Sequence, residues 1–248
     1  YTYDKSKLSE KFYGHLDKNH PGVKIIDSLN PYFLGGKITL IKRRNSKHKN
    51  LELTPKQSRR LFDEKNWTKV VGFHTRNVIH KAHEFIQLSG LKRGQCDGIF
   101  LHPVIGKKKT GDYNSEFIIK SYEIMQKKFY PENTTVFGAF STYSRYGGIK
   151  EAIFTALCRK NYGCSHFIVG RDHTGVGQKN NNSEEIKIAE LFVKLGIEII
   201  KFETVFYSKK NNKHQEEGLN GNNEDQSDKL FISGTEARNL FNNYKSPP

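Results

Sequence analysis

The chain has 248 residues, 35% of them hydrophobic, and a net charge of +15. That length suits one sizeable α/β domain, or a domain with a fragment of another. No apolar run approaches the length needed to cross a bilayer, and no signal-peptide pattern stands at the start. Cys96, Cys158 and Cys164 lack metal-type spacing and read as free thiols of a reducing compartment, so a cytoplasmic location is expected. The positive charge admits nucleic acid, an acidic membrane or small anions as partners. The lysines fall in short clusters (Lys42–Lys49, Lys107–Lys109, Lys209–Lys213) rather than one stripe, and no RNA-binding aromatic motif or helix-turn-helix pattern is present. Neither nucleic acid nor a membrane is therefore expected as a partner, and most of the charge reads as a lysine-rich surface.

Residues 1–50 hold too few apolar positions to close a core of their own. Tyr1 to His20 is polar with scattered aromatics, His20-Pro21-Gly22 is a turn, and Gly35-Gly36 precedes a strand-like K-I-T-L-I-K. The segment reads as the tail of a larger β-rich domain or as an arm packed on the main one, with 46–50 as linker. From Leu53 the pattern becomes regular. Thr54-Pro55 opens a helix with threonine as N-cap and proline at the first helical position. Strand 69–73, helix 79–89, strand 97–101, a Gly/Lys-rich loop 103–112 and helix 115–129 follow. Strand 134–140 leads to helix 148–161, strand 165–169 to a glycine-rich turn and helix 183–195. Strand 197–202 is the last clear strand, and helix 234–243 comes after it. Residues 208–229 form a polar, low-complexity insertion expected to be mobile.

Short apolar strands alternating with longer helices predict an α/β fold with a parallel sheet covered on both faces. Ligands of such sheets bind at the carboxyl ends of the strands. Polar chemistry gathers at four of those ends: His74–Asn77, His102–Asp112, Ser141–Tyr146 and Gly170–Gly175. The stretch Val70–Glu84 is the most telling, because a buried strand enters a helix through a turn carrying one arginine and three histidines. Backbone N–H groups at a helix start favour anions, which suggests a phosphate-handling site. His80 and His83, spaced i, i+3, should present both rings to one side. Zinc binding at this pair is disfavoured, since the metalloprotease spacing is i, i+4 and no third ligand suggests itself.

Four blocks occur in a telling order: F-H-T-R-N-V-I-H-K-A-H-E, H-P-V-I-G-K-K-K-T-G-D, R-K-N-Y-G-C-S-H-F-I-V-G-R-D-H-T-G-V-G and I-S-G-T-E-A-R. Across residues 20–243 the chain thereby resembles the ATP sulfurylases (sulfate adenylyltransferases). The resemblance implies a Rossmann-like nucleotidyltransferase domain over 51–248. It further implies that 1–50 is the C-terminal part of a β-rich, PUA-like domain with its linker. The implied reaction is adenylyl transfer from ATP to sulfate, giving adenylyl sulfate and pyrophosphate, or the reverse. The implied companions are Mg²⁺ carried with ATP and further copies of the chain in a homo-oligomer.

By the same resemblance, Arg76 holds sulfate and faces the α-phosphate, Thr75 and Asn77 complete the turn on the ATP side, and His80 and His83 contact the ATP phosphates. Gly170 and Asp172 approach the ribose side, His173 lies with them at the nucleotide, Arg171 approaches phosphate, and the Thr174 backbone N–H donates to sulfate. Val205 reads adenine through its main chain, and Arg238, with Gly234 and Thr235, lies on the phosphate side. Ser233 and Glu236 also fit a helix capping box. The sequence departs from the family at informative points. His74 stands where the family's sulfate-contacting glutamine is usual, and a histidine can still donate to an oxyanion. Lys150 replaces an arginine and Thr155 a histidine. Ser208 replaces the first cysteine of a zinc knuckle, so no structural zinc is expected. Because of His74, a different oxyanion acceptor stays open, and the positive charge with the altered segment 146–155 leaves open a non-catalytic nucleotide- or nucleic-acid-binding relative.

Overall fold

The computed structural model describes residues 1–108, 111–170, 191–192, 194–218, 225–231 and 234–245. At its centre is a five-stranded, wholly parallel sheet of β1 (Val70–Phe73), β2 (Gly98–Leu101), β3 (Thr135–Phe137), β4 (His166–Gly170) and β5 (Glu198–Phe202), in the order β3-β2-β1-β4-β5. The chain runs outward from β1 in one direction, then restarts beside it with β4. The switch point between β1 and β4 is where a doubly wound sheet opens a crevice for ligand.

The strands are apolar because both sheet faces are covered, and every residue of β1 and β2 is buried. Alternate side chains feed different cores. Val71, Phe73, Ile99, Leu101, Ile168, Ile200 and Phe202 pack with Ile118, Tyr122 and Met125 of α5 (Ser115–Lys128). Val70, Phe100, Val136 and Phe167 pack on the opposite face with Phe62 of α3 (Pro55–Glu64) and Ala152 and Ala156 of α6 (Ile149–Asn161). Helix α3 begins where Thr54 and Gln57 form a reciprocal capping box, ahead of Pro55. Residues 191–192 and 194–195 are helical, and the rest of the helix expected over 183–195 lies outside the described residues.

The segment 1–50 departs from the β-rich expectation. It contains α1 (Lys5–Tyr13) and α2 (Pro21–Ser28), and its β-structure is one isolated bridge, Thr2 to Tyr32. Asp4 accepts from the N–H groups of Ser6 and Lys7 to start α1, and Pro21 opens α2 after His20. The strand expected at 37–42 has no regular structure and no ladder partner among the described residues. Ile38 and Ile41 are each 95% exposed, so alternation of apolar residues without a sheet edge to join did not make a strand. The arm docks on the main domain: Tyr13 Oη donates to the Arg145 carbonyl at 2.8 Å, and Lys150 Nζ donates to the carbonyls of Lys11 (2.7 Å) and Phe12 (2.8 Å). The lysine that replaces an expected arginine thus caps the end of α1.

Residues 208–218 also differ from the mobile insertion expected there. They continue β6 (Val205–Ser208) into β7 (Lys213–Glu216), and β8 (Lys229–Leu230) completes a second sheet in the order β7-β6-β8. Asn212 adopts φ 52°, the left-handed conformation that lets the hairpin turn close. Glu216 is buried in an ion pair with Arg93 and accepts the Glu203 N–H at 2.6 Å. Partnered polar groups stand here where apolar ones were sought, which is why composition misled. Residues 219–224 lie outside the described part. No helix among the described residues is long and apolar enough to cross a membrane.

Candidate active site

The turn after β1 is built on Thr75, whose buried hydroxyl accepts the Asn77 N–H at 3.2 Å. That local bond bends the chain and sets Arg76 and Asn77 at the mouth of the switch point. Asn77 Oδ1 accepts from Arg238 Nη1 at 3.2 Å, so α7 (Gly234–Asn242) joins residues 161 apart in sequence at one place. The Arg76 guanidinium lies 5.1 Å from the Tyr146 ring centroid, and its Nε is 4.0 Å from Asp112 Oδ1. Arg76 Nε is buried and has no hydrogen-bond partner among the described residues. A buried donor left in this state beside a cleft is where an oxyanion gains most.

The chain bends at Asn77, His80 is extended, and the helix begins at Lys81, two residues later than the pattern suggested. α4 (Lys81–Arg93) has His80 as its N-cap, and that side chain makes no capping hydrogen bond. The rings of His80 and His83 are 3.8 Å apart, so the i, i+3 spacing does bring them together. Burial, with His214 of β7 as the next cause, lowers His80 to about 4. Burial and then His80 hold His83 well below the ordinary histidine value, against the opposing Val78 backbone contact. Both rings are therefore neutral near pH 7 in the ligand-free protein, each keeping one N–H to donate.

His74 meets a residue that sequence reasoning had not singled out. Arg159 on α6 is fully enclosed, and its Nη2 lies 2.7 Å from His74 Nδ1 and donates to the His102 carbonyl at 2.7 Å. Burial lowers its pKa to about 10, which still leaves it charged at neutral pH. Gly72 makes room for it: a Cβ there would stand 2.8 Å from Arg159 Cγ. The clue in the sequence was an arginine on the apolar stripe of a helix, since Ala152, Thr155, Ala156 and Arg159 share the buried face of α6. His102 stays in the core, its ring set among Phe100, Phe140 and Tyr162.

Tyr146 was also missed as an individual contact. It sits at φ 58°, held by Glu151, whose buried carboxylate accepts the N–H groups of Arg145 (2.8 Å) and Gly147 (3.2 Å). A cavity of about 560 Å³ opens beyond Arg76, with Asp112, Lys108 and Tyr146 on one side and Lys24 and Ile25 of α2 on the other. Lys108 donates to the Val104 carbonyl at 2.6 Å, and burial lowers its pKa to about 8.

Gly170 ends β4 beside the switch point, and a Cβ there would meet nothing within 4 Å among the described residues. Arg171, Asp172, His173, Thr174 and Ser233 lie outside the described residues, and Gly234 and Thr235 open α7. Val205 begins β6, paired with Glu216 and packed against the first core. Buried Ser208, at the position of the absent cysteine, accepts the Asn211 N–H at 3.0 Å. Thr155, where a histidine was usual, is enclosed and donates to the Ala152 carbonyl at 3.0 Å.

A parallel, doubly wound sheet whose first strand ends in a basic turn, with histidines at the following helix start, defines a Rossmann-like nucleotide-binding fold. The ATP-sulfurylase family model matches residues 49–248, and the chain belongs to that family. It is 43% identical over 251 residues to the sulfate adenylyltransferase of Halothermothrix orenii and 40% identical over 248 residues to that of Pyrococcus abyssi. Each alignment covers all of this chain and 64% of the relative, so the chain spans about two thirds of those proteins. Among solved structures, a hexameric APS kinase from Thiobacillus denitrificans superposes with TM-score 0.66 at 19% identity, over 83% of this chain and 38% of that one. That likeness is one of fold.

Proposed function

We propose that the protein transfers the adenylyl group of ATP to sulfate, giving adenylyl sulfate and pyrophosphate, and runs the same step in reverse. The observation that carries this reading is the meeting of Arg76, Asn77 and Arg238 at the end of β1, beside the paired rings of His80 and His83. Sulfate is a weak nucleophile, and the step needs no covalent intermediate with the protein. A sulfate oxygen attacks the α-phosphorus, an S–O–P bond forms, and the bond to pyrophosphate breaks with its electron pair leaving on pyrophosphate. Catalysis then consists of holding two repelling anions in line and stabilising the charge between them.

In this reading Arg76 bridges sulfate and the α-phosphate, using the fork geometry that suits oxyanions. His74 and the Thr174 backbone N–H donate to sulfate. Thr75 and Asn77 fix the turn, and Arg238 and Arg171 approach the phosphates. Gly170, Asp172 and His173 lie at the nucleotide, and Val205 offers main chain to adenine. His80 and His83 begin as neutral N–H donors, and the arriving polyphosphate favours their charged form, opposing the burial that depresses them. No group of three or more metal-binding side chains is placed to hold an ion among the described residues. Magnesium would arrive on the ATP phosphates and offset part of their charge. The same proposal takes the working protein to be a cytoplasmic homo-oligomer.

The test is sulfate-dependent pyrophosphate release from ATP with saturating magnesium, run beside ATP formation from adenylyl sulfate and pyrophosphate. Both should be lost in Arg76→Ala. Intact protein active in neither direction overturns the assignment, and pyrophosphate release with another tetrahedral oxyanion but not sulfate would move it to that acceptor.

A further inference from the structure

The cavity beside Arg76 has one wall that belongs to the arm. Helix α2 contributes Lys24, and the loop after β2 contributes Lys107 and Lys108 from across the opening. The arm is held there at close range: a Cβ at Gly22 would stand 2.3 Å from the Tyr13 ring and 2.6 Å from the Arg145 carbonyl oxygen. Among the described lining residues, Lys24, Arg76, Lys107 and Lys108 set four cations against one carboxylate, Asp112. The cations are graded by depth. Lys24 and Lys107 are exposed, Lys108 is half-buried, and Arg76 Nε is enclosed. Neither Lys24 nor Lys107 has an ion pair or side-chain hydrogen bond among the described residues. Burial lowers the Lys108 pKa to about 8, with Asp112 opposing the fall and Arg76 adding to it. Like charges are thus crowded at the floor, and an anion placed between them relieves both. Asn77, His80 and His83 are not among the described lining residues, so the cavity lies on the side of Arg76 away from the paired histidines.

We propose that this cavity is the entry site for the acceptor, a charge funnel that leads a doubly charged tetrahedral oxyanion from solvent to Arg76, with Lys24 and Lys107 as the capturing residues at its mouth. This rests on the reading above that Arg76 bridges the acceptor and the α-phosphate. Attraction to each lysine scales with the charge of the ion, so a dianion is drawn twice as strongly as a monoanion. A cleft lined by one sign of charge focuses the field and raises the local concentration of the opposite ion. Exposed cations act in this way on encounter, and salt screens them. At about 560 Å³ the cavity has room for the ion together with water, so hydration need not be shed at the mouth. It is lost at the floor, where Arg76 Nε can donate in its place. The arm is therefore part of the acceptor site and not only a support for it.

The test uses the full chain and follows initial rates of sulfate-dependent pyrophosphate release as sodium chloride is raised from about 20 to about 300 mM. With Lys24→Met and Lys107→Met combined, kcat/KM for sulfate should fall by about fivefold to tenfold at low salt. At high salt it should come within about twofold of the wild type, while kcat/KM for ATP stays within about twofold throughout. Lys24→Arg should keep the wild-type value, and Lys24→Glu should lose more than Lys24→Met. The control is Lys69→Met with Lys92→Met, which removes the same charge from exposed positions at the opposite end of the strands. An equal loss in that control, an equal loss for ATP, or a loss indifferent to salt overturns the proposal. If the wild type turns over sulfate and the double variant matches it at every salt, the funnel falls and the acceptor reading stands. If the wild type shows no turnover but binds sulfate in equilibrium dialysis, and the double variant binds it at least about threefold more weakly, the anion site stands and the acceptor reading falls. A wild type that neither turns over nor binds sulfate overturns both.

Discussion

Gly72 is the point at which the middle of the sheet and the candidate site share one space, and Gly72→Ala tests that coupling. The added Cβ would stand 2.8 Å from Arg159 Cγ, 3.2 Å from Arg159 Cβ and 3.2 Å from Cys164 Sγ. The neighbours include the stem of a fully enclosed arginine, so relief requires α6 or β1 to shift rather than a loose side chain to swing. Overpacking of this kind costs about 1–3 kcal/mol. Alanine recovers roughly 0.5–1 kcal/mol through the lower entropy of its unfolded chain. The net expectation is a loss of about 1–2 kcal/mol, or a fall in Tm of about 2–8 °C for a chain of this size. Because the displaced group holds His74, activity at a temperature where the variant is fully folded should fall by about tenfold or more, mainly through weaker sulfate binding. Urea and thermal unfolding give the first number, and sulfate titration of turnover gives the second. A variant as stable and as active as the wild type would refute the claim that the Gly72 gap positions Arg159.

Three further outcomes follow from contacts described above. Glu151→Ala removes the carboxylate that accepts the Arg145 and Gly147 N–H groups, and urea unfolding should show a loss of about 2–3 kcal/mol. In the same variant KM for sulfate should rise as Tyr146 loosens from Arg76. Lys108 keeps its charge below about 8, so anion affinity should fall as pH rises through that value. Lys108→Met should flatten this limb in competition binding between about pH 6.5 and 9.5, where sulfate itself does not titrate. His80 has a folded value of about 4 against 6.5 unfolded, so the unfolded chain takes the proton first. Stability should therefore be lost as pH falls from 6.5 toward 4, by up to about 3 kcal/mol from this residue, and His80→Asn should show a shallower acid limb in urea titrations.

The sheet was legible in the sequence because parallel strands are buried on both faces, and runs such as V-V-G-F and G-I-F-L carry that burial directly. The turn at His74–Asn77 was legible as well, since its chemistry is packed into consecutive residues. Arg159 was not, because its role depends on a gap in a strand 87 positions earlier, and the partner of a buried charge is a tertiary fact. The hairpin over 205–216 escaped for a related reason: its polar residues are satisfied by Arg93 and by backbone groups on other elements, and composition alone cannot show such pairing. The arm over 1–50 erred in the opposite direction. Alternating I-T-L-I suggested a strand, but a strand exists only with an edge to join, and the helices nearby were declared by local capping residues.

The β6–β7 hairpin lies against α4, with Glu216 bound to Arg93 near one end of that helix and His214 acting on His80 at the other. His80, which the proposed function sets against phosphate, thus takes part of its electrostatic setting from an element outside the parallel sheet. The two can be altered separately: a change at His214 should shift proton affinity at His80 while every residue of the turn after β1 stays fixed. His214 is therefore the position in the hairpin at which a substitution should raise the His80 value while Val205, Phe206 and Glu216 keep their contacts.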